Sequence, residues 1–214
     1  FLANAGNSTL ARLDFGTSLW NIPTASVVAN IPLQSMLHGL AIVWDGTNWI
    51  GFATCSVGNN LVRFNFGSSL MNNPVFTDLG NKGIFNGPGA ICLINEDNAW
   101  YAVVIAGHNT LASLDFGSSL LNDPAVRDFG NPGGFNFAVG LTTVRDCGVT
   151  TGYWVNYQTL GELGKLVFGG GGVTGNITGQ LLGNIGQLSK PHSFSELFRQ
   201  NDTLFAYITN RETS

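Results

Sequence analysis

The stretch FGSSLMNNP at residues 66–74 returns as FGSSLLNDP at residues 116–124. That interval is too long for a helical heptad and too short for a duplicated domain. The phrase sets a register for the rest of the chain. Phe15-Gly16, Phe66-Gly67, Phe116-Gly117 and Phe168-Gly169 follow one another at steps of 51, 50 and 52 residues. Upstream, Leu10, Leu61, Leu111 and Leu163 keep the same steps; downstream come Pro23, Pro74 and Pro124, then Asn30, Asn81, Asn131 and Asn184. Internal periodicity of this length is the sequence signature of a repeat architecture.

Each repeat divides into short apolar runs separated by turn residues. In the second repeat they read GLAIVWDG, NWIGFATCSV, NLVRFNFG and PVFTDLGN, here called strands A, B, C and D. The separators DGTN, GNN and SSLMNN are turn chemistry. No segment sustains a 3.6-residue period with caps, so almost no helix is expected. Four strands in about 50 residues, repeated, predict an all-β chain of β-propeller blades. A lone four-stranded sheet cannot cover both its faces, and stacking against like sheets buries them. The Gly after each Phe ends strand C in a conformation that glycine adopts cheaply. Asp14, Asn65 and Asp115 just before it are expected to accept hydrogen bonds from the turn backbone. Val167 breaks that series.

The expected organisation is one propeller domain over residues 1–214. It comprises strands B–C–D in 1–31, full units in 38–84, 89–133 and 139–186, and strands A–B in 191–210. The chain closes either as four blades or as half of a larger ring. Its incomplete end units are complementary, and strand A is small and Gly-led in most units, which suits the wider ring. A head-to-tail homodimer is therefore the favoured assembly. A longer protein that supplies the missing blades is the third option.

The run HGLAIVWDGTNWIGFATCSVGNNLVRFNFG from residue 38 resembles the NHL-type propeller pattern, with its D-G-N turn, aromatic strand B and G-N turn. The phrase LARLDFGTSLWNIP from residue 10 resembles repeats of large surface proteins of gliding-type bacteria. These resemblances imply a propeller fold and a surface location, and they leave activity open, because propellers carry many functions.

Composition narrows the function classes. Charged residues are 10% of the chain and the net charge is −4, with nine Lys and Arg, which argues against a nucleic-acid partner. No apolar run is long enough for a membrane-spanning helix, so membrane insertion is not expected. Low charge with abundant Gly, Asn, Ser and Thr fits an extracellular or cell-surface protein. Cys55, Cys92 and Cys147 match no zinc or redox spacing and read as small buried residues. The Asp-Phe-Gly at residues 14–16 and 115–117 recurs with the repeat and lacks every other kinase element. The Gly-rich FGGGGVTG at residues 168–175 has no Lys-Ser/Thr after it and reads as a C–D turn.

Connections alternate between the two ends of antiparallel strands, so D–A and B–C connections share one rim. His38 and His192 precede strand A, and His108 lies in the B–C turn, which places all three on that rim. Arg211 and Glu212 belong there by register. Trp20 breaks the aromatic register and sits in a C–D turn, as an exposed contact for a sugar ring. Repeated Trp49 and Trp100 are expected to pack between blades. The candidate ligand-binding residues are thus His38, His108, His192, Arg211 and Trp20. No catalytic residue, metal site or cofactor is expected, because Glu196 is the lone acid in the strand A runs and one carboxylate makes no acid–base pair. The function expected is non-catalytic binding of a glycan or protein through rim loops. The alternatives are a hydrolase or lyase with a central polar site and a purely structural repeat fragment.

Overall fold

The computed structural model describes residues 1–32, 36–157, 161–170 and 172–211. The chain divides into two compact units, Phe1–Pro88 and Gly89–Ser214. The first holds a three-stranded sheet of β1 (Leu2–Asn4), β2 (Thr9–Asp14) and β3 (Thr24–Asn30). Beside it in sequence is a four-stranded sheet of β4 (Leu37–Trp44), β5 (Trp49–Cys55), β6 (Asn60–Gly67) and β7 (Val75–Gly80). The second unit holds two four-stranded sheets. One is β8 (Ile91–Glu96), β9 (Ala99–Gly107), β10 (Thr110–Gly117) and β11 (Ala125–Gly130). The other is β12 (Ala138–Asp146), β13 (Val149–Asn156), β14 (Leu163–Phe168) and β15 (Ile177–Gly183). Each of these four sheets is an antiparallel meander in chain order. The described helix is a single 3-10 turn at Gly172–Thr174.

The last unit departs from the expected continuous strand pair. It breaks into β16 (Pro191–Phe194) paired with β19 (Ile208–Asn210), and β17 (Phe198–Gln200) paired with β18 (Thr203–Phe205). The run LFAYITN is thus interrupted, because Ser195 and Tyr207 bond to each other across the gap outside the ladder: Ser195 N–H donates to the Tyr207 carbonyl, and Tyr207 N–H donates to Ser195 Oγ.

The repeated phrase builds one C–D turn three times. Gly16, Gly67 and Gly117 take φ of +62°, +66° and +62°, the left-handed region that favours glycine. Their N–H groups donate to Asp14, Asn65 and Asp115 Oδ1, each at 2.8 Å. Asn21, Asn72 and Asn122 Nδ2 then donate to the carbonyls of Phe15, Phe66 and Phe116, again at 2.8 Å each. Each local side-chain bond satisfies a backbone group that no ladder reaches. Where Val167 replaces the Asp or Asn, Gly169 N–H donates to the Asn176 carbonyl at 2.8 Å instead.

Phe64, Phe66, Leu10 and Leu37 form the core of the first unit with Ala53 and Val62. In the second unit Trp154 is fully buried and stacks on Phe135 at 4.6 Å with 7° between the rings, among Ile105, Leu111, Leu166 and Phe168. The fourth strands are the exposed ones: β7 and β11 are open to solvent over most of their length. The cysteine reading needs correction. Cys55 is buried and Cys92 half-buried, but Cys147 is exposed, because it occupies the β12–β13 turn with φ +49°.

Candidate functional site

A row of rings runs along one rim of the second unit. It begins in the β9–β10 turn, where strand B passes to strand C. Asn109 Oδ1 accepts the Phe137 N–H at 3.1 Å, and the His108 carbonyl accepts the Ala138 N–H at 2.8 Å. These bonds tie the turn to the chain entering β12. The first unit ties its turn in the same way, with Asn59 Oδ1 accepting the Gly87 N–H at 2.6 Å. Phe137 therefore stands where the preceding repeat has a glycine. It is held at φ +55°, a conformation that costs a bulky residue about 1–3 kcal/mol.

That conformation places the Phe137 ring flat on His108, with centroids 3.8 Å apart and 13° between the planes. Tyr157 follows at 5.8 Å, and its N–H donates to the Phe137 carbonyl at 3.0 Å. His192 stands edge-on to Tyr157 at 6.2 Å. Arg211 Nη1 donates to Tyr157 Oη at 2.9 Å, and its guanidinium carbon lies 5.9 Å from the ring centre. Arg211 N–H also donates to the Lys190 carbonyl at 3.2 Å, which anchors the row's far end. His108, His192 and Arg211 are exposed, and Phe137 and Tyr157 are half-buried.

His192 sits inside β16 rather than before it. The ladder there steps from Pro191 to Ser193, so His192 occupies a β-bulge. The same bulge opens β4 between Leu37 and Leu40, and it contains His38. A bulge at the start of a strand re-aims the side chain away from the pleat. Three of the five residues singled out in the sequence, His108, His192 and Arg211, thus meet in one row. His38 and Trp20 belong to the first unit. Trp20 is 97% exposed at the β2–β3 turn. Glu212 lies outside the described residues. Glu196 is exposed, and its carbonyl accepts the Ser195 hydroxyl at 2.9 Å.

Sequence reasoning passed over Phe137 and Tyr157, which supply the row's apolar faces. The available signal was Phe137 itself: it follows Asn109 by 28 residues, as Gly87 follows Asn59. A large aromatic at a position demanding positive φ marks a place where strain is tolerated for a purpose.

Chemically the row offers two imidazoles, a phenol and a guanidinium beside flat ring faces. Such a surface can stack on the apolar face of a planar or pyranose ring and donate hydrogen bonds at its edges. Among the described residues no cluster of His, Cys, Asp and Glu could hold a metal ion. Among the described residues the one buried carboxylate is elsewhere: Glu96 accepts the Val173 N–H at 2.8 Å and the Thr150 hydroxyl, so its oxygens are engaged in structure.

No protein-family model matches the chain, and no curated protein matches it. Solved structures do. A triple arginine-to-alanine mutant of AofleA from Arthrobotrys oligospora aligns over 97% of this chain and 63% of its own, at 14% identity and a TM-score of 0.55. The Bacteroides ovatus xyloglucan PUL GH43B aligns over 82% of this chain and 36% of its own, at 14% identity and a TM-score of 0.49. The chain therefore spans less than two thirds of either structure. The first likeness shows fold alone. With the repeated four-stranded meanders, it makes this an all-β chain of the β-propeller class.

Proposed function

We propose that this chain is a non-catalytic propeller-type protein that binds a glycan on the rim formed by His108, Phe137, Tyr157, His192 and Arg211. The observation that carries the reading is the ring row itself, with Phe137 held in a strained conformation to complete it. Rings at 3.8–6.2 Å spacing cover a length suited to one or two sugar units. Glycan, rather than protein, is the ligand class we favour, because the faces are aromatic while the edges are hydrogen-bond donors. An extracellular or cell-surface setting goes with this reading, as do a single propeller domain over 1–214, the NHL-type character of the repeats and a two-copy assembly. The alternative is a hydrolase or lyase role, and among the described residues the row itself contains no carboxylate.

A glycan array followed by calorimetry on the best binder tests the proposal. Tyr157→Ala and His192→Ala are each expected to weaken binding at least tenfold, the exposed His192→Ala without lowering the melting temperature. Binding that survives both substitutions, or an array on which no glycan is retained, would sink it.

A further inference from the structure

Each compact unit contains one clasp between neighbouring sheets. In the first, Arg12 on β2 directs Nη1 at the carbonyls of Leu70 and Met71, at 2.9 and 2.7 Å, in the β6–β7 turn. In the second, Arg127 on β11 donates to the carbonyl of Thr174 in the β14–β15 turn. Arg127 is the direct cross-strand partner of Ser113, which holds Arg12's register position on β10. The device is the same in both: a cation from the strand C–D pair of one sheet grips backbone carbonyls in the C–D turn of the next. A charged donor to a carbonyl makes a stronger bond than a neutral one.

Two halves of this device are unmatched. The β2–β3 turn of the first sheet has the acceptors and no donor: the Leu19 and Trp20 carbonyls accept no hydrogen bond among the described residues. Its apolar side chains are bare as well. Leu19 is 84% exposed, Trp20 97% and Ile22 93%, whereas Leu120, the counterpart of Leu19 in the third repeat, is fully buried. The β14 strand of the last four-stranded sheet has the donor and no acceptor. Lys165 occupies Arg12's register position, opposite Gln180 on β15, and its ammonium makes no hydrogen bond or ion pair among the described residues.

We infer that a second copy of this chain docks head to tail, with Lys165 of one copy gripping the Leu19 and Trp20 carbonyls of the other. The last four-stranded sheet of the first copy then covers Leu19, Trp20 and Ile22. The inference rests on the two-copy reading above and is independent of the glycan site. Two different surfaces meet in such a contact, so it builds a closed ring or an open chain according to its rotation. Trp20 is on this account an interface anchor, in keeping with the weight that tryptophan carries in protein contacts.

Sedimentation equilibrium on the intact chain decides. The wild type is expected to sediment at twice the 22.7 kDa chain mass or more. Trp20→Asp and Lys165→Glu each weaken association at least tenfold, and Lys165→Arg retains it. Trp20 is exposed and Lys165 lies partly exposed on β14, so circular dichroism should be unchanged. A wild type that stays monomeric at all concentrations overturns self-association altogether. Association that is indifferent to both disruptive variants overturns this interface while leaving self-association standing.

Discussion

Gly172 shows how much a single residue can carry. Its φ is +59°, and a Cβ there would collide with the Glu96 carboxylate. The Gly-rich run at residues 168–175 is thus a loop folded down onto a buried acid. Gly172→Ala is expected to cost several kcal/mol, since it adds backbone strain to a clash with an engaged charge; a urea melt measures it. Gly164 meets the same limit against the buried ring of Trp154. The cysteines separate by environment. Burial, with repulsion from Glu196 and against weaker opposing hydrogen bonds at Thr143, pushes the Cys92 thiol from 9.0 up to about 12. The folded chain therefore keeps that proton after the unfolded chain has lost it. Stability should fall by about 1.4 kcal/mol per pH unit as pH rises from about 9 toward 12. Mass spectrometry after alkylation at pH 8 should find Cys147 modified in the native protein, with Cys55 and Cys92 modified only after denaturation.

At the scale of elements, the recurring phrase is a turn with its own internal wiring. An Asp or Asn caps the glycine N–H, and an Asn six residues beyond each Phe returns to that Phe carbonyl. Asn65→Ala and Asn72→Ala should each destabilise the chain by about 1 kcal/mol, read as a shift in the urea midpoint. A swap of Asn65 for Asp should be nearly neutral, because Asp14 and Asp115 already perform that role. The strands themselves were legible as apolar runs between turn signals. The bulges at His38 and His192 were not, because a bulge inserts a residue without altering composition or alternation enough to see. The broken last strand pair escaped notice for a related reason: its sequence alternates well enough for a continuous strand, and the bonds between Ser195 and Tyr207 interrupt it.

Across the whole molecule, burial is graded by strand position in each sheet. Second strands such as β5 and β9 are buried along most of their length, and fourth strands such as β7 and β11 face solvent. Native-state hydrogen exchange should follow this gradient, slowest in β5, β9 and β10 and fastest in the fourth strands. Uniform protection across each sheet would contradict it. The sequence alone determined the all-β class, the four-strand unit and the capped C–D turn, because these depend on local periodicity and on side chains bonding within a few residues. Antiparallel connectivity, which alternates turns between two ends, led to the expectation of His38, His108, His192, Arg211 and Glu212 on one rim. What only the tertiary structure decided is which of those residues meet. Phe137 joins His108 through a left-handed backbone, and Tyr157 joins Arg211 across 54 residues of chain. Such contacts depend on how one sheet stacks on the next, and that packing is written in no single repeat.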